Sequence, residues 1–330
     1  MTSTYNNSIK SAVLFIVFNR HDAALQVFEA IKKARPPRLY FAADGARTKD
    51  EWEKCSAVRS IVDNVDWPCE VFTLFSDVNQ GVKLGETAAM NWFFENEEEG
   101  IILEDDTFPD TTFFSFCDEM LEKYRNDERI WNINGNNLMM EWKHDNNESY
   151  YFSKHGYGAY WGWASWRRVW KEYDVDMKIY PEIRGKEILE SHFLSSNERN
   201  EAYKLFDNTM NGRINSWDYQ MDLARILNSG HVIIPNKNLI TNIGFGEEGT
   251  HTVSENDLRN NKDLYSVDFP LIHPDKVEVD PAREMSYFKK YIEPSNFRKL
   301  KNLIKNAIPP VLDEAVTPFL SKIQKHMGLN

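Results

Sequence analysis

The sequence predicts an α/β fold, an open and mostly parallel sheet with helices on both of its faces. Apolar runs rich in β-branched and aromatic residues recur about 30 residues apart, as successive strand–helix units require. Amphipathic helical patterns occupy the intervals between these runs. The predicted strands are Ser11–Phe18, Arg38–Ala43, Glu70–Phe75, Gly100–Leu103 and Ile130–Asn134.

Three helices are predicted between these strands, each with an apolar side that can cover the sheet. Asp22 is expected to cap the first helix. The second contains Trp92 and is expected to continue through Glu95–Glu99. Thr111 or Thr112 opens the third, which carries large apolar side chains at helical spacing.

The chain divides into three predicted parts. Residues 1–135 form the α/β part, and residues 136–253 form a part rich in Gly, Asn and Trp that completes a cleft and contains a helix near Ser216–Leu227. Residues 254–330 form a C-terminal extension whose basic amphipathic helices are interrupted at Pro309-Pro310. These helices could dock on the protein's own body or lie on an anionic membrane surface.

Composition excludes several classes of protein. The 330 residues include 39 Lys and Arg against 51 Asp and Glu, and the net charge of -12 argues against nucleic-acid binding. The three cysteines are far apart, which fits reduced thiols better than a disulfide framework. Because no apolar run near the N-terminus approaches the roughly 20 residues of a membrane span, we expect a cytoplasmic protein. Peripheral contact with the inner face of the membrane through the basic tail is the alternative.

The sharpest chemical signal is the run Glu104, Asp105 and Asp106 at the end of a predicted strand. Three adjacent acids at a sheet edge repel one another and are costly to desolvate unless a cation is present. Mg²⁺ or Mn²⁺ takes few carboxylates and completes its octahedron with phosphate oxygens and water. The run therefore favours a metal shared with a nucleotide diphosphate, and a solvated acidic turn is the alternative.

Other polar residues follow the ends of other predicted strands. These residues belong to three different strand-to-helix turns: the first contains Asn19 and Arg20, the second Asp44 and the third Lys83. In a parallel sheet these turns meet at one crevice. Arg20 or Lys83 could neutralise phosphate, and Asp44 could accept a hydrogen bond from a base or ribose. Each residue taken alone is more often part of a surface salt bridge.

Two further segments have two interpretations each, and a third resembles a dinucleotide motif that we reject. The rings of Gly156–Trp166 could stack on a sugar, although aromatic side chains more often fill a core. Asp218 follows Trp217 at a predicted helix start, where it could act in catalysis or cap the helix. Gly244–Gly249 spells GxGxxG, but we reject a dinucleotide site there because the segment carries two acids and no clear helix follows.

The order of these features resembles the GT-A glycosyltransferases. Within them it is most similar to the alpha-mannosyl-glycoprotein beta-1,2-N-acetylglucosaminyltransferase family and to bacterial nucleotide-diphospho-sugar transferases, over about residues 9–252. The motifs that carry the resemblance are Phe18-Asn19-Arg20, Asp44, Leu103-Glu104-Asp105-Asp106 with Pro109-Asp110 and Phe113-Phe114, Gly162-Trp163, Trp217-Asp218 and Gly244–Gly249.

This resemblance implies a Rossmann-like GT-A fold and a metal-dependent, inverting sugar transfer in glycan or surface-polysaccharide synthesis. The implied donor is a nucleotide-diphospho-sugar, expected to be a UDP-sugar, and the implied acceptor is a hydroxyl of a glycan or glycolipid. Asp106, in a DXD-like position, would hold Mn²⁺ or Mg²⁺ together with His251, and Asp218 would be the general base. The implied nucleotide-sugar contacts are Asn19, Arg20, Asp44, Lys83, Glu104 and Asp105, and the expected acceptor or sugar contacts are Trp163 and Trp217.

Two other functions stay open from the sequence. A sugar nucleotidyltransferase would use the same metal and diphosphate crevice but would release pyrophosphate. A carbohydrate-binding protein without catalysis would use the tryptophans alone. The run of three acids argues against this function, because the stacking of aromatic rings on a sugar does not need negative charge.

Overall fold

The computed structural model describes residues 9–140, 147–156, 160–244 and 263–293. A 3₁₀ turn covers Ser60–Asn64 and a π-helical turn covers Phe288–Ile292. The strands are β1 Ala12–Val17, β2 Arg38–Ala43, β3 Glu70–Phe75, β4 Glu99–Glu104, β5 Thr107–Pro109, β6 Ile130–Asn134, β7 Tyr150–Ser153, β8 Trp163–Trp166, β9 His231–Pro235 and β10 Ile240–Asn242. The helices are α1 His21–Ala34, α2 Trp52–Arg59, α3 Gly81–Asn96, α4 Thr111–Tyr124, α5 Arg167–Trp170, α6 Tyr180–Ile183, α7 Glu187–Glu190, α8 Ser196–Met210, α9 Asp218–Leu227 and α10 Pro281–Tyr287.

Eight strands form one sheet in the order β3-β2-β1-β4-β8-β6-β9-β7. Strand β1 pairs in parallel with β2 and β4, β2 with β3, and β6 with β9. Strand β8 runs antiparallel between β4 and β6, and β7 lies antiparallel to β9 at the far edge. The predicted open, mostly parallel α/β sheet is therefore confirmed.

Side chains of β2 show that helices cover both faces of the sheet. Tyr40 packs against Trp92 of α3, with ring centroids 4.9 Å apart. The next residue, Phe41, points to the opposite face because side chains alternate along a strand. There it meets Phe75 of β3, and Arg59 of α2 lies over the Phe75 ring. Both faces of the strand are thus used for packing, which explains its continuous apolar sequence.

Helix boundaries differ from the prediction in two places. Helix α1 begins at His21, so Asp22 lies in its first turn and does not cap it. Helix α3 ends at Asn96, because the backbone becomes extended immediately afterwards to enter β4, and the predicted continuation through Glu95–Glu99 is too long. Helix α4 begins at Thr111, as predicted.

The described part of the C-terminal extension packs on the body of the protein. Helix α10 leads into the π-helical turn, which lies beside α8, and Asn197 Nδ2 donates to Glu293 Oε1 at 3.0 Å. The Tyr291 hydroxyl donates to the carbonyl oxygen of Leu138. The basic segment 294–330 lies outside the described residues. Within the described ranges, we find no helix with the length and apolar character that crossing a bilayer requires.

Candidate functional site

A cavity of about 450 Å³ lies at the carboxyl edge of the sheet. It is lined by residues that follow β1, β2 and β3, by the first turns of α3, and by Glu104 and Asp105 at the end of β4. Asp106, the next residue, is not among the lining residues. Open α/β sheets bind their ligands at this edge. Its volume falls within the range of roughly 300–1,000 Å³ that small-molecule pockets occupy.

Asp44 organises the loop that leads into α3. Its carboxylate accepts hydrogen bonds from Gly81 N at 2.9 Å, from Gln80 N at 2.9 Å and from Asn79 Nδ2 at 3.0 Å. Gly81 has a φ of +75°, which favours glycine at this turn. Asp44 also lines the cavity, yet its oxygens already hold the loop. Its predicted contact with a base or ribose stays a prediction.

The acid run after β4 sits in a tight turn fixed from two sides. Thr107 Oγ1 accepts from Glu104 N at 2.9 Å within the turn. Strand β5, which follows the turn, pairs with β10, and Ile243 N donates to the carbonyl oxygen of Asp106 at 2.8 Å. The chain beyond residue 240 therefore helps to place acids that lie far from it in sequence.

Arg20 is the cation nearest these acids. Its Nη1 lies 2.9 Å from Asp106 Oδ2, and its Nη2 pairs with Asp105. These carboxylates keep the pKa of Arg20 above its usual value against the opposing effect of burial. A Cβ at Gly244 would collide with both Asp106 and Arg20, so glycine is needed for this close approach. The guanidinium that was expected to meet phosphate is thus bound to the acid run.

Glu86 of α3 forms an acidic cluster with Glu104, Asp105 and Asp106, although no motif in the sequence pointed to it. It lines the cavity, and burial together with the charges of Asp218, Asp106 and Asp105 raises its pKa to about 8. A signal was present in α3, since Gly81 and Gly85 are one turn apart and mark the cavity side of the helix, with Glu86 next to them.

The pKa values of the neighbouring acids Glu104 and Asp105 are raised as well. Burial, followed by the charge of Glu86, raises the pKa of Glu104 above its usual range. Burial raises the pKa of Asp105 to about 6, although Arg20 opposes the shift. Carboxyl groups respond in this way when like charges meet in a site with too few cations.

The residues present fit a hard divalent cation. Asp106 Oδ1 is buried and has no hydrogen-bond partner among the residues that the structure describes. Within the described ranges, three or more His, Cys, Asp or Glu residues do not come together as a complete protein metal site. Mg²⁺ and Mn²⁺ need only one or two protein carboxylates when a nucleotide supplies the other oxygens. Asp106 is therefore the best candidate ligand, while His251, its expected companion, lies outside the described residues.

Asp218 begins helix α9, and its charge helps to raise the pKa of Glu86. Its Oδ1 accepts hydrogen bonds from Tyr219 N at 3.0 Å and from the Ser216 hydroxyl, which fix the orientation of the carboxylate. A hydrogen bond joins the side chains of Trp217 and Glu86. Asp218 also lines a second cavity, of about 210 Å³, between α8 and α9. Asn215, shortly before it in the sequence, lines the first cavity, so the segment that begins α9 borders both cavities.

Trp163 and Trp217 occupy the core. Trp163 is 1% exposed and Trp217 is 3% exposed, and their rings stack with centroids 5.5 Å apart. Neither ring lines one of the two cavities. The expected stacking of these rings on an acceptor sugar is therefore corrected, because both faces of the pair are packed inside the protein.

Two remaining candidates lie beside the first cavity without lining it. Asn19 Nδ2 donates to Glu51 Oε1 at 2.6 Å, which ties the turn after β1 to the segment before α2. Lys83 is in the first turn of α3, where its side chain is not among those lining the cavity. Their predicted contacts with a nucleotide stay predictions.

Comparisons with known proteins give structural neighbours only. No protein-family model and no curated protein matches the chain. HddC from Yersinia pseudotuberculosis, also solved in complex with GMP-PN, is similar with a TM-score of 0.30 and 11% identity over 49% of this chain and 80% of that chain. The 4-diphosphocytidyl-2C-methyl-D-erythritol synthase of Anaerococcus prevotii gives 0.31 and 9% over 60% and 84%. The inositol-1-phosphate CTP transferase of T. maritima gives 0.35 and 10% over 71% and 89%.

Proposed function

We propose that this chain is a metal-dependent transferase that binds a nucleotide-diphospho-sugar in the 450 Å³ cavity and moves the sugar to an acceptor hydroxyl with inversion. The observation that carries the proposal is the acidic cluster at the carboxyl edge of the sheet, formed by Glu86, Glu104, Asp105 and Asp106 around Arg20. A diphosphate would be repelled by this cluster, so it requires a divalent cation to bind there.

Asp106 supports the metal part of the proposal, because no described residue forms a hydrogen bond with its buried Oδ1. A bound Mn²⁺ or Mg²⁺ would supply charge neutralisation for the departing diphosphate. Arg20 holds Asp106 in place through its ion pair. The loop that Asp44 holds and the first turn of α3 face the same cavity.

Asp218 supports the acid–base part of the proposal. An acceptor hydroxyl must lose its proton as it attacks, and a carboxylate held beside it can take that proton. The hydrogen bonds from Ser216 and Tyr219 orient the Asp218 carboxylate before substrate arrives. Since Asp218 is the base of a single displacement in this proposal, the product has the inverted configuration.

Nucleotidyl transfer is the second candidate function. The same acidic cluster would accept the metal complex of a nucleoside triphosphate, and a sugar phosphate would then be the second substrate. One of the compared structures is described as a CTP transferase. A carbohydrate-binding role without catalysis has less support, because Trp163 and Trp217 are buried.

A substrate panel with two kinds of product assay tests the proposal. Nucleotide-diphospho-sugars are supplied with Mn²⁺ and neutral glycosides, and nucleoside triphosphates are supplied with Mn²⁺ and sugar 1-phosphates. Release of a nucleoside diphosphate in the first set supports sugar transfer. Release of pyrophosphate in the second set would show nucleotidyl transfer and would contradict sugar transfer. Absence of nucleotide binding in both sets, measured by thermal stability with and without Mn²⁺, would refute both.

A further inference from the structure

The second cavity, of about 210 Å³, is lined in part by Asp218. Helices α8 and α9 form two of its walls, and Tyr287 and Tyr291 of the C-terminal extension form a third. Glu86 lines the first cavity, and Asp218 lines the second. The negative charge of Asp218 contributes to the raised pKa of Glu86. Asn215, just before Asp218 in the sequence, also lines the first cavity, so the segment that begins α9 borders both cavities.

A buried polar network holds these walls together. His155 Nδ1 lies 2.7 Å from Glu198 Oε1, which ties the end of β7 to α8. Glu284 Oε2 accepts from Ser153 Oγ at 2.9 Å and from His155 N at 2.9 Å, which ties the same strand to α10. Buried groups with satisfied hydrogen bonds make a rigid frame. The cavity is therefore preformed, and the C-terminal extension is part of it.

The charges in this cavity disfavour anions. Arg225 is buried, and its Nη2 lies 3.2 Å from Asp222 Oδ1 and donates to the carbonyl oxygen of His155 at 2.9 Å. Burial, and then the nearby charge of Arg225, keep the pKa of His192 well below its usual value, so this ring is neutral at pH 7. Asp218 and Asp222 add negative charge to the wall formed by α9. Because Arg225 is already paired with Asp222, its charge is not available to bind a phosphate or carboxylate here.

The remaining surface suits the apolar face of a sugar ring. Tyr160, Tyr219 and Tyr291 line the cavity and offer rings with polar tips. Asp222 Oδ1 accepts from the Tyr160 hydroxyl at 3.1 Å, so this carboxylate is already oriented. The volume of 210 Å³ is below the roughly 300–1,000 Å³ of a drug-sized pocket, which limits the occupant to about one ring.

We propose that this cavity is the acceptor site, and that it takes one uncharged sugar residue whose attacking hydroxyl is presented to Asp218. This inference rests on the proposed function, because it assigns the hydroxyl that receives the transferred group. It also assigns a role to the C-terminal extension, whose tyrosines close one side of the acceptor site.

Ligand-observed NMR with a defined panel tests this acceptor site. The probes are the methyl glycosides of the common hexoses, and hexose 1-phosphates are the charged comparators. We expect saturation transfer to at least one methyl glycoside and none to the phosphates. Binding of the phosphates equal to that of the glycosides, or no binding of any glycoside, would overturn the assignment.

Variants on one helix locate the binding. Ala202→Trp and Leu205→Trp on α8 fill the cavity, and Lys204→Trp adds the same ring on the exposed side of that helix. We expect each filling variant that retains a cooperative thermal transition to bind the glycoside at least about tenfold more weakly. Lys204→Trp should bind it like the parent protein. Unchanged binding in the filling variants would place the glycoside elsewhere.

The thermal response to nucleotide and Mn²⁺, measured on the same samples, separates this inference from the proposed function. If nucleotide stabilises the protein but no glycoside binds, the result supports the proposed donor site and contradicts the acceptor site. If no nucleotide raises the thermal stability of the protein, the result contradicts the proposed function itself.

Discussion

Arg20 Nη1 lies 2.9 Å from Asp106 Oδ2, so the acid that we expect to hold a metal is already paired with an arginine. The other oxygen of this carboxylate, Oδ1, is buried, and no group in the described part of the chain forms a hydrogen bond with it. A buried polar atom in this state is costly unless a ligand satisfies it. The ion pair therefore positions the carboxylate and leaves one of its oxygens for a cation.

Asp106→Asn should abolish the stabilisation of the protein by nucleotide with Mn²⁺. The amide keeps the shape of the side chain but removes the charge that attracts the cation. Ligand at a hundredfold excess over its Kd stabilises a protein by about 2.7 kcal/mol, which is a shift of several degrees in Tm for a chain of this size. Differential scanning fluorimetry measures the loss.

The matched control is Asp22→Asn, because the Asp22 side chain is fully exposed on the first turn of α1. It should retain the full nucleotide response. If Asp106→Asn also retains a Mn²⁺-dependent response, the metal assignment is wrong.

Asp218→Asn should lower turnover by about 10²–10⁴-fold, the usual contribution of a general base. Donor affinity should stay close to that of the parent protein, because Asp218 lines the second cavity and does not line the first. Initial rates and nucleotide titrations measure the two effects separately.

Ser216→Ala provides the graded comparison, since it removes a hydroxyl that only orients Asp218. Its turnover should lie between those of the parent and Asp218→Asn. A collapse of donor affinity in Asp218→Asn would instead assign this carboxylate to donor binding.

Gly244→Ala should weaken nucleotide binding by more than about tenfold, because the added Cβ would displace Asp106 and Arg20. Gly212→Ala is the control for general destabilisation. Gly212 has a φ of +67° and open space around it, so alanine there should cost about 1 kcal/mol of stability through backbone strain alone. Nucleotide affinity that is unchanged in both variants would show that Gly244 is not part of the donor site.

The sheet and its acid run could be predicted from the sequence because both depend on local pattern. Apolar runs at regular intervals specify parallel strands, and the carboxyl ends of such strands share one edge. Glu104, Asp105 and Asp106 therefore had a predictable location. The antiparallel strand β8 was not predicted, because its four residues, Trp163–Trp166, have no pattern that distinguishes a strand from an aromatic turn.

Contacts between remote segments could not be predicted in the same way. Glu86 enters the acidic cluster only because α3 is packed beside the start of α9, about 130 residues later in the chain. Trp163 and Trp217 looked suited to sugar stacking, yet their rings stack on each other. Local composition does not tell whether the partner of an aromatic ring is a ligand or another ring.

His192 should make the protein less stable as the pH falls below about 6.5. Burial, and then the charges of Arg225 and His155, lower the pKa of this ring in the folded protein, whereas the unfolded chain takes up a proton near pH 6.5. The stabilising contribution is therefore complete above that pH and is lost below it, at up to about 1.4 kcal/mol for each pH unit.

His192→Phe should remove this pH dependence and leave the rest of the unfolding behaviour in place. Phenylalanine keeps a ring next to His155, whose centroid lies 4.9 Å from that of His192, but it cannot take up a proton. Urea unfolding at pH 5.0, 6.0 and 7.5 should show a smaller loss of free energy on acidification in the variant than in the parent. His21→Gln, at a half-exposed ring on α1, should follow the parent. Parallel pH profiles for His192→Phe and the parent would mean that His192 takes up its proton in the folded protein too.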